Sequence, residues 1–422
     1  MLINKKKLVF VCYGGGHIEL VKSVIPTLVK EKIFEIILIP LTTAVKALPK
    51  EGIEGVRIIP LPEFIHLFDE NIDQILEYGL SLFEENYNPE LGLRKSDTIF
   101  YLGLSLFDAV TEYGKEEALN RYKKMGRQSF LPIESLKTIF KFLNPDLVFT
   151  TNSPRFEAAA LAAAKELKIK SMQLLDLFGD GYPLPSADYI GVLNESVVNK
   201  LKNKGIEKEI LPVGQPVFDD TVKQVQKIDR VTLRNKLNIP SSSWLILFCP
   251  TLYYVWNDNL TIKEIRDLDL INQPMFRILN QLIETNNISV LLRPHPVSDS
   301  INNYLPYIQD KKGYYYYDNN ELGILEAIAL CDLCLTYNST VAVQALVCDK
   351  KVVTYNYDPD QSYFWPEFTQ PPFKYAPDYE ALNAVLSQTI KEEINKQEYD
   401  HFYKNGAAHK ILDILKDKLW NS

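Results

Sequence analysis

Apolar positions along the chain switch between two rhythms. Residues 7–12 form an almost unbroken apolar run, as expected of a strand covered on both faces. After Tyr13-Gly14-Gly15-Gly16-His17, the residues Ile18, Leu20, Val21, Val24, Ile25 and Leu28 recur at helical spacing. The same alternation predicts strands at 35–40, 56–60, 146–151, 170–175 and 188–192, and again at 244–249, 288–293, 314–318, 333–337 and 351–356. Strands that alternate with helices imply parallel, doubly wound sheets. An amphipathic helix over 409–420, with Ile411, Leu412, Leu415 and Leu419 on one face, ends the pattern.

The rhythm breaks at about 63–145, where Ile72, Ile75, Leu76, Leu80 and Leu82 keep helical spacing among many aromatics. A segment this long is a helical insertion rather than a loop, and it is expected to pack against the first domain, to shape a substrate pocket or to make an oligomer contact. A charged stretch after Val213-Gly214-Gln215-Pro216 places a boundary near 220–230. The expected organisation is a first domain at 1–222, a second at 223–400, and a terminal helix at 401–422 that crosses back to the first.

Length agrees, since 422 residues exceed what one core usually serves. A formal net charge of −8 and the absence of a long basic run argue against nucleic acid as a partner. Lys5-Lys6-Lys7 is expected to be a solvated start. No stretch approaches the roughly twenty apolar residues of a membrane span, and no signal-peptide pattern opens the chain. A cytoplasmic protein is expected, with at most peripheral association at the inner face of the membrane. Five cysteines are an odd number, and Cys331-Asp332-Leu333-Cys334 has no second Cys or His pair nearby, so buried thiols are expected and no metal.

Candidate chemistry sits where strands end. Leu291-Leu292-Arg293-Pro294-His295-Pro296 and Thr336-Tyr337-Asn338-Ser339-Thr340 each close a strand and open a polar turn, where an α/β sheet binds phosphate. Thr251, after Cys249-Pro250, joins them at a third strand end. His295, held between two prolines, is expected to bind or protonate a leaving phosphate, with Arg293 assisting or pairing an acid. In the first half, Gly14-Gly15-Gly16-His17 lacks the G-x-G-x-x-G spacing and the ribose-binding acid of a dinucleotide site. It reads either as a tight turn with an outward His or as a loop that admits a ligand beside a neutral imidazole. Asp180, between Gly179 and Gly181, is a candidate general base, with Asp176 as its rival and a plain Asp-Gly turn as the alternative. In Thr151-Asn152-Ser153-Pro154-Arg155-Phe156-Glu157, Ser153 suits a helix cap, while Arg155 and Glu157 are candidates to face an acceptor that the sequence cannot orient. Asp267-Leu268-Asp269 and Asp358-Pro359-Asp360 have metal-like spacing but lie in helical and loop contexts, so no metal is invoked.

These motifs together resemble the GT-B glycosyltransferase superfamily. The glycine loop with His17 resembles that of the undecaprenyl-diphospho-muramoylpentapeptide N-acetylglucosaminyltransferases, and Gly214-Gln215-Pro216 resembles a Gly-x-Pro segment before the interdomain linker. Arg293-Pro294-His295-Pro296 with Ser339-Thr340 resembles the His-Pro and Ser-Ser/Ser-Thr motifs of bacterial sialyltransferases, polysialyltransferases, Kdo transferases and teichoic-acid glycerophosphotransferases. Gly179-Asp180-Gly181 resembles their acidic motif, with Gly179 in place of its first acid, and Thr340 stands where many relatives carry a second Ser.

The resemblance implies an α/β GT-B fold, two Rossmann-like domains facing a central cleft. It implies a metal-independent transferase that moves a sugar from a nucleotide-activated donor, foremost a CMP-sugar, to a carbohydrate or glycolipid acceptor in bacterial surface polysaccharide assembly. Catalysis would fall to Asp180 and His295. The donor would be held by Gly214, Thr251, Arg293, His295, Pro296, Asn338, Ser339 and Thr340, and the acceptor by Gly14, Gly15, Gly16, His17, Asn152 and Arg155. A nucleotide-sugar 2-epimerase, a CDP-dependent polyol-phosphate transferase and a non-catalytic sugar-nucleotide binding protein are the alternatives.

Overall fold

The structure, a computed structural model, describes residues 5–180, 184–250, 254–256, 262–265, 268–295, 299–356 and 364–420. The chain divides into two units, Met1–Val217 with Asn405–Ser422, and Phe218–Lys404.

In the first unit the strands are β1 (Lys6–Cys12), β2 (Phe34–Pro40), β3 (Val56–Ile58), β4 (Leu147–Thr150), β5 (Lys170–Leu174), β6 (Tyr189–Val192) and β7 (Glu209–Pro212). They form one parallel sheet in the order β3-β2-β1-β4-β5-β6-β7. Side chains alternate along a strand, so β1 feeds two cores. Val9 and Val11 face a cluster with Phe64, Phe100, Leu136 and Phe156, whereas Leu8, Phe10 and Cys12 face Ile18, Val21, Ile411 and Leu415. Continuous burial on both faces is what the unbroken apolar run encodes.

The helical insertion supplies the first of these layers. Its helix Ile72–Ser81 crosses the helix Lys95–Tyr113 at two glycines. A Cβ on Gly79 would fall 2.1 Å from the carbonyl oxygen of Ile99, and one on Gly103 would fall 2.2 Å from that of Ile75. The terminal helix, Ala407–Trp420, supplies the second layer with the helix Gly16–Lys30. Lys416 pairs with Glu31 at 2.5 Å, and Lys418 with Glu209 at 2.9 Å.

The second unit contains β8 (Trp244–Cys249), β9 (Tyr254–Trp256), β10 (Ile262–Ile265), β11 (Ile288–Leu292), β12 (Tyr314–Tyr316), β13 (Leu333–Thr336), β14 (Lys351–Tyr355) and β15 (Lys374–Ala376). Strands β9 and β10 pair antiparallel by themselves; the rest form a parallel sheet ordered β12-β11-β8-β13-β14-β15. Ile246 and Phe248 of β8 face the helices Leu268–Thr285 and Tyr379–Lys391, while Leu245, Leu247 and Cys249 face the helices Arg230–Lys236 and Ile324–Leu330.

Both parallel sheets run outward from their first strand in the same way, the order of a Rossmann fold. Strands β7, β9, β10 and β15 were not expected from the pattern. Two of them, β7 and β15, are short edge strands with one buried residue each, Ile210 and Ala376, too little alternation to read. The lysines at the start of β1 are not merely solvated: Lys6 pairs with Asp146 at 3.0 Å, and the Lys7 ammonium donates to the Leu143 carbonyl. No helix among the described residues is long and apolar enough to cross a membrane.

Candidate active site

Ligands of open parallel sheets bind beyond the carboxyl ends of the strands, at the point where the order reverses. In the first unit that point lies between β1 and β4, and in the second between β8 and β13.

At the first reversal, Tyr13, His17, Thr151, Arg155 and Glu157 come together. Gly14 is required for packing, because a Cβ there would meet Thr43 Oγ1 at 2.1 Å. Gly15 adopts φ 66°, and neither it nor Gly16 has a neighbour where a Cβ would project, so the backbone opens into space ahead of the helix that carries His17. Glu157, in the first turn of the helix Phe156–Glu166, is completely buried. Its carboxylate accepts from the backbone N–H of Tyr13 and of Thr151, each at 2.8 Å, and from the Thr151 hydroxyl at 2.6 Å. One acid therefore ties the end of β1 to the end of β4. Burial pushes the Glu157 carboxyl up to about 7, against the opposing pull of these hydrogen bonds.

The Thr151 hydroxyl also lies 2.7 Å from His17 Nδ1. Burial, and then the positive charge of Arg155, hold the His17 imidazole below its ordinary pKa, which favours the neutral ring. Arg155 has φ 65°, and its guanidinium carbon lies 4.8 Å from the centre of the Tyr13 ring. Its Nε is buried without a hydrogen-bond partner among the described residues. The Tyr13 hydroxyl meets that of Tyr101 at 2.7 Å, so the insertion contributes directly to the floor of the site.

Asn152 accepts from the backbone N–H of Asp176 at 3.3 Å, linking β4 to β5. Ser153 does not cap the following helix; Arg155 occupies the cap position, and the backbone N–H of Ser153 points to Glu157. Asp176 is half-buried, and burial raises its pKa, with the Leu177 N–H and the Gln215 amide opposing. Asp180 lies apart from this group as an exposed carboxylate, 2.6 Å from Lys200 and 3.5 Å from Lys204. Gly214, at φ 88°, donates its N–H to Val192 as the chain leaves β7.

At the second reversal, the Thr336 hydroxyl donates to the Cys249 carbonyl at 2.8 Å, joining the ends of β13 and β8. The backbone N–H of Arg293 donates to Phe248 at 2.9 Å, which joins β11 to β8. Among the described residues the Arg293 guanidinium pairs no acid. It donates to the Leu322 carbonyl and to the Asn319 side chain, and so braces the loop after β12. His295, two residues on, is exposed. Asn338 accepts from the Trp365 N–H at 3.2 Å, Ser339 accepts from the Val341 N–H at 3.3 Å, and Thr340 is exposed. Thr251 and Pro296 lie outside the described residues, as do Asp267, Asp358 and Asp360.

All five cysteines are free thiols, four of them buried. Among the described residues no cluster of three or more His, Cys, Asp or Glu side chains is placed to hold a metal. The residues that sequence reasoning left unassigned are Thr151, Glu157, Tyr13 and Tyr101. Only Glu157 carried a signal, as an acid in the first turn of an alanine-rich helix.

Comparison with solved structures places the fold. The chain resembles UDP-GlcNAc 2-epimerase from Methanocaldococcus jannaschii over 97% of its length and 99% of that protein, with 14% identity and a TM-score of 0.60. It resembles the Neisseria meningitidis UDP-GlcNAc 2-epimerase, solved bound to UDP-GlcNAc, over 97% and 99%, with 14% identity and a TM-score of 0.54. The wall teichoic acid polymerase TagF, solved with CDPG, aligns over 99% of this chain and 90% of its own, with 15% identity and a TM-score of 0.50. At such identities the likeness establishes the fold alone, two Rossmann-like units of GT-B type. No curated protein matches the sequence. A family model, however, matches residues 184–405, more than half of the chain, and that span contains the ends of β8, β11 and β13 in the second unit. The chain is thus a member of the CDP-glycerol:poly(glycerophosphate) glycerophosphotransferase family, a family of transferases.

Proposed function

We propose that this protein transfers a group from a cytidine-nucleotide donor, foremost a polyol phosphate from a CDP-polyol, to a hydroxyl of a bacterial surface polymer. The observation that carries this reading is the family match over 184–405, which spans the strand reversal between β8 and β13 and the turns bearing Arg293, His295 and Asn338-Ser339-Thr340. In this reading the second unit takes the donor phosphates and His295 supports the departing CMP, with Arg293 fixing the turn. The first unit takes the acceptor beside Gly15, Gly16, His17 and Arg155. Positive groups of the chain offset the developing phosphate charge, so the reaction runs without a metal and EDTA leaves its rate unchanged.

A CMP-sugar donor is the second reading, favoured by the pairing of an Arg-Pro-His-Pro turn with a Ser-Thr turn. Both donors release CMP, so the other product separates them. The test is incubation with CDP-glycerol, a longer CDP-alditol, a CMP-sugar or UDP-GlcNAc, followed by phosphorus NMR. CMP with a new phosphodiester resonance supports polyol-phosphate transfer. CMP without a new phosphodiester, from the CMP-sugar alone, supports the second reading. Turnover of UDP-GlcNAc alone overturns both.

A further inference from the structure

Beneath the glycine loop a completely buried carboxylate reaches His17 through one hydroxyl. Glu157 Oε2 lies 2.6 Å from Thr151 Oγ1, which lies 2.7 Å from His17 Nδ1. Above about pH 7, where the Glu157 carboxyl is ionised, it can only accept, so the Thr151 proton points to it. The Thr151 oxygen is then left to accept from His17 Nδ1–H, and the Nε2 lone pair is available.

We propose that Glu157 is a positioning residue that acts through Thr151 to set the tautomer of His17, making His17 Nε2 the proton acceptor for the attacking hydroxyl. This rests on the reading above that the acceptor binds at the first unit. As the acceptor oxygen bonds to the donor phosphorus and the bond to CMP breaks, the hydroxyl proton moves to His17 Nε2. The resulting imidazolium keeps its Nδ1 proton on Thr151, and Thr151 keeps its own on Glu157. The relay thus places negative charge two hydrogen bonds from the ring when the ring becomes positive, and no proton is stranded.

The surroundings suit this role. Tyr13 and Thr151 give Glu157 two backbone N–H donors, so the acid is held in one place without the Thr151 hydroxyl. The groups that bear on the pair are Glu157 and Arg155 from the Thr151–Glu157 segment, Tyr13 and Cys12 from the end of β1, and Tyr101 from the insertion. Burial, and then Arg155, oppose protonation of His17, which favours the neutral ring. Asp180 is not part of this group, being engaged with Lys200 and Lys204.

Two measurements on the full chain test the relay. In 15N-histidine-labelled protein at pH 8, with His17 assigned from His17→Gln, long-range proton–nitrogen correlation should show the Nδ1–H tautomer. Thr151→Val should move it toward Nε2–H. An Nε2–H ring in the wild type, or an unchanged ring in Thr151→Val, overturns the proposal whether or not the protein is active. Kinetically, Glu157→Gln should lower kcat for transfer by on the order of 10²-fold, leave the donor KM within about twofold, and move the acid limb of the pH profile to lower pH. If Glu157→Gln does not fold, Thr151→Val is read in its place. Transfer by His17→Ala should be partly restored by added imidazole. Wild-type rates in both Glu157→Gln and His17→Ala overturn the relay alone. A wild-type protein that uses no cytidine donor overturns the proposed function instead and leaves the tautomer result standing.

Discussion

The carboxylate of Asp180 lies 2.6 Å from the ammonium of Lys200, on the surface beyond the end of β5. Exposed pairs of this kind contribute roughly 0–1 kcal/mol. Asp180→Asn is therefore expected to change stability by less than about 1 kcal/mol and, with His17 as the proton acceptor, to leave transfer within about threefold of wild type. Denaturant midpoints and initial rates check this. A loss of two orders of magnitude would return the base role to Asp180.

His295 is exposed two residues after Arg293, whose backbone is tied to β8. His295→Ala should lower the rate of CMP release by on the order of 10²-fold with little change in melting temperature, since no core packing is lost. Arg293→Ala should instead cost stability as well as rate, because its guanidinium holds the Leu322 carbonyl and Asn319. Equal melting temperatures for the two variants would contradict this division of roles.

Gly79 and Gly103 admit a close helix crossing that no side chain would fit. Either glycine to Ala forces the Ile72–Ser81 and Lys95–Tyr113 helices apart, at an expected cost of about 1–3 kcal/mol in urea unfolding. Each variant should also disturb Tyr101, and so weaken acceptor use more than donor binding.

Asp108 offers a pH test remote from the site. It is buried between helices, accepting from the Ser135 N–H and hydroxyl, and burial pushes its carboxyl up to about 6. A raised pKa means that the folded state prefers the protonated acid. The associated stability is full below about 3.8 and is lost as pH rises through about 6. Asp108→Asn, neutral throughout, should lack this decline and gain relative to wild type by up to about 3 kcal/mol at pH 7. Parallel stability curves for the two proteins between pH 4 and 7 would refute it.

At the opposite end of the second sheet, Asp332 pairs with Arg230 at 2.6 Å and with the buried Arg234 at 3.3 Å. It also accepts from the Leu245 N–H at 2.8 Å. Asp332→Ala leaves Arg234 in the core without its counter-charge and should cost about 3–5 kcal/mol. Calorimetry resolving the two units should place that loss in the second unit.

The sequence by itself determined where strands, turns and helices lie in both units, because a strand buried on both faces must be apolar throughout and helical spacing is a local property. It also located the polar turns at the ends of β1, β4, β8, β11 and β13. It missed β7 and β15, which bury one residue each, and the antiparallel pair β9 and β10. Tertiary structure alone decided which strand ends are neighbours: β1 lies against β4 across the whole insertion, and β8 lies against β13. Pairing across a sheet is non-local, so no spacing could bring Glu157 and Thr151 to His17, or Tyr101 to Tyr13. Only the fold shows which polar groups are engaged internally, as with Arg293 on Leu322 and Asn338 on Trp365. A hydrogen-bond partner depends on where two backbones meet in space, and residue type records only the capacity to make the bond.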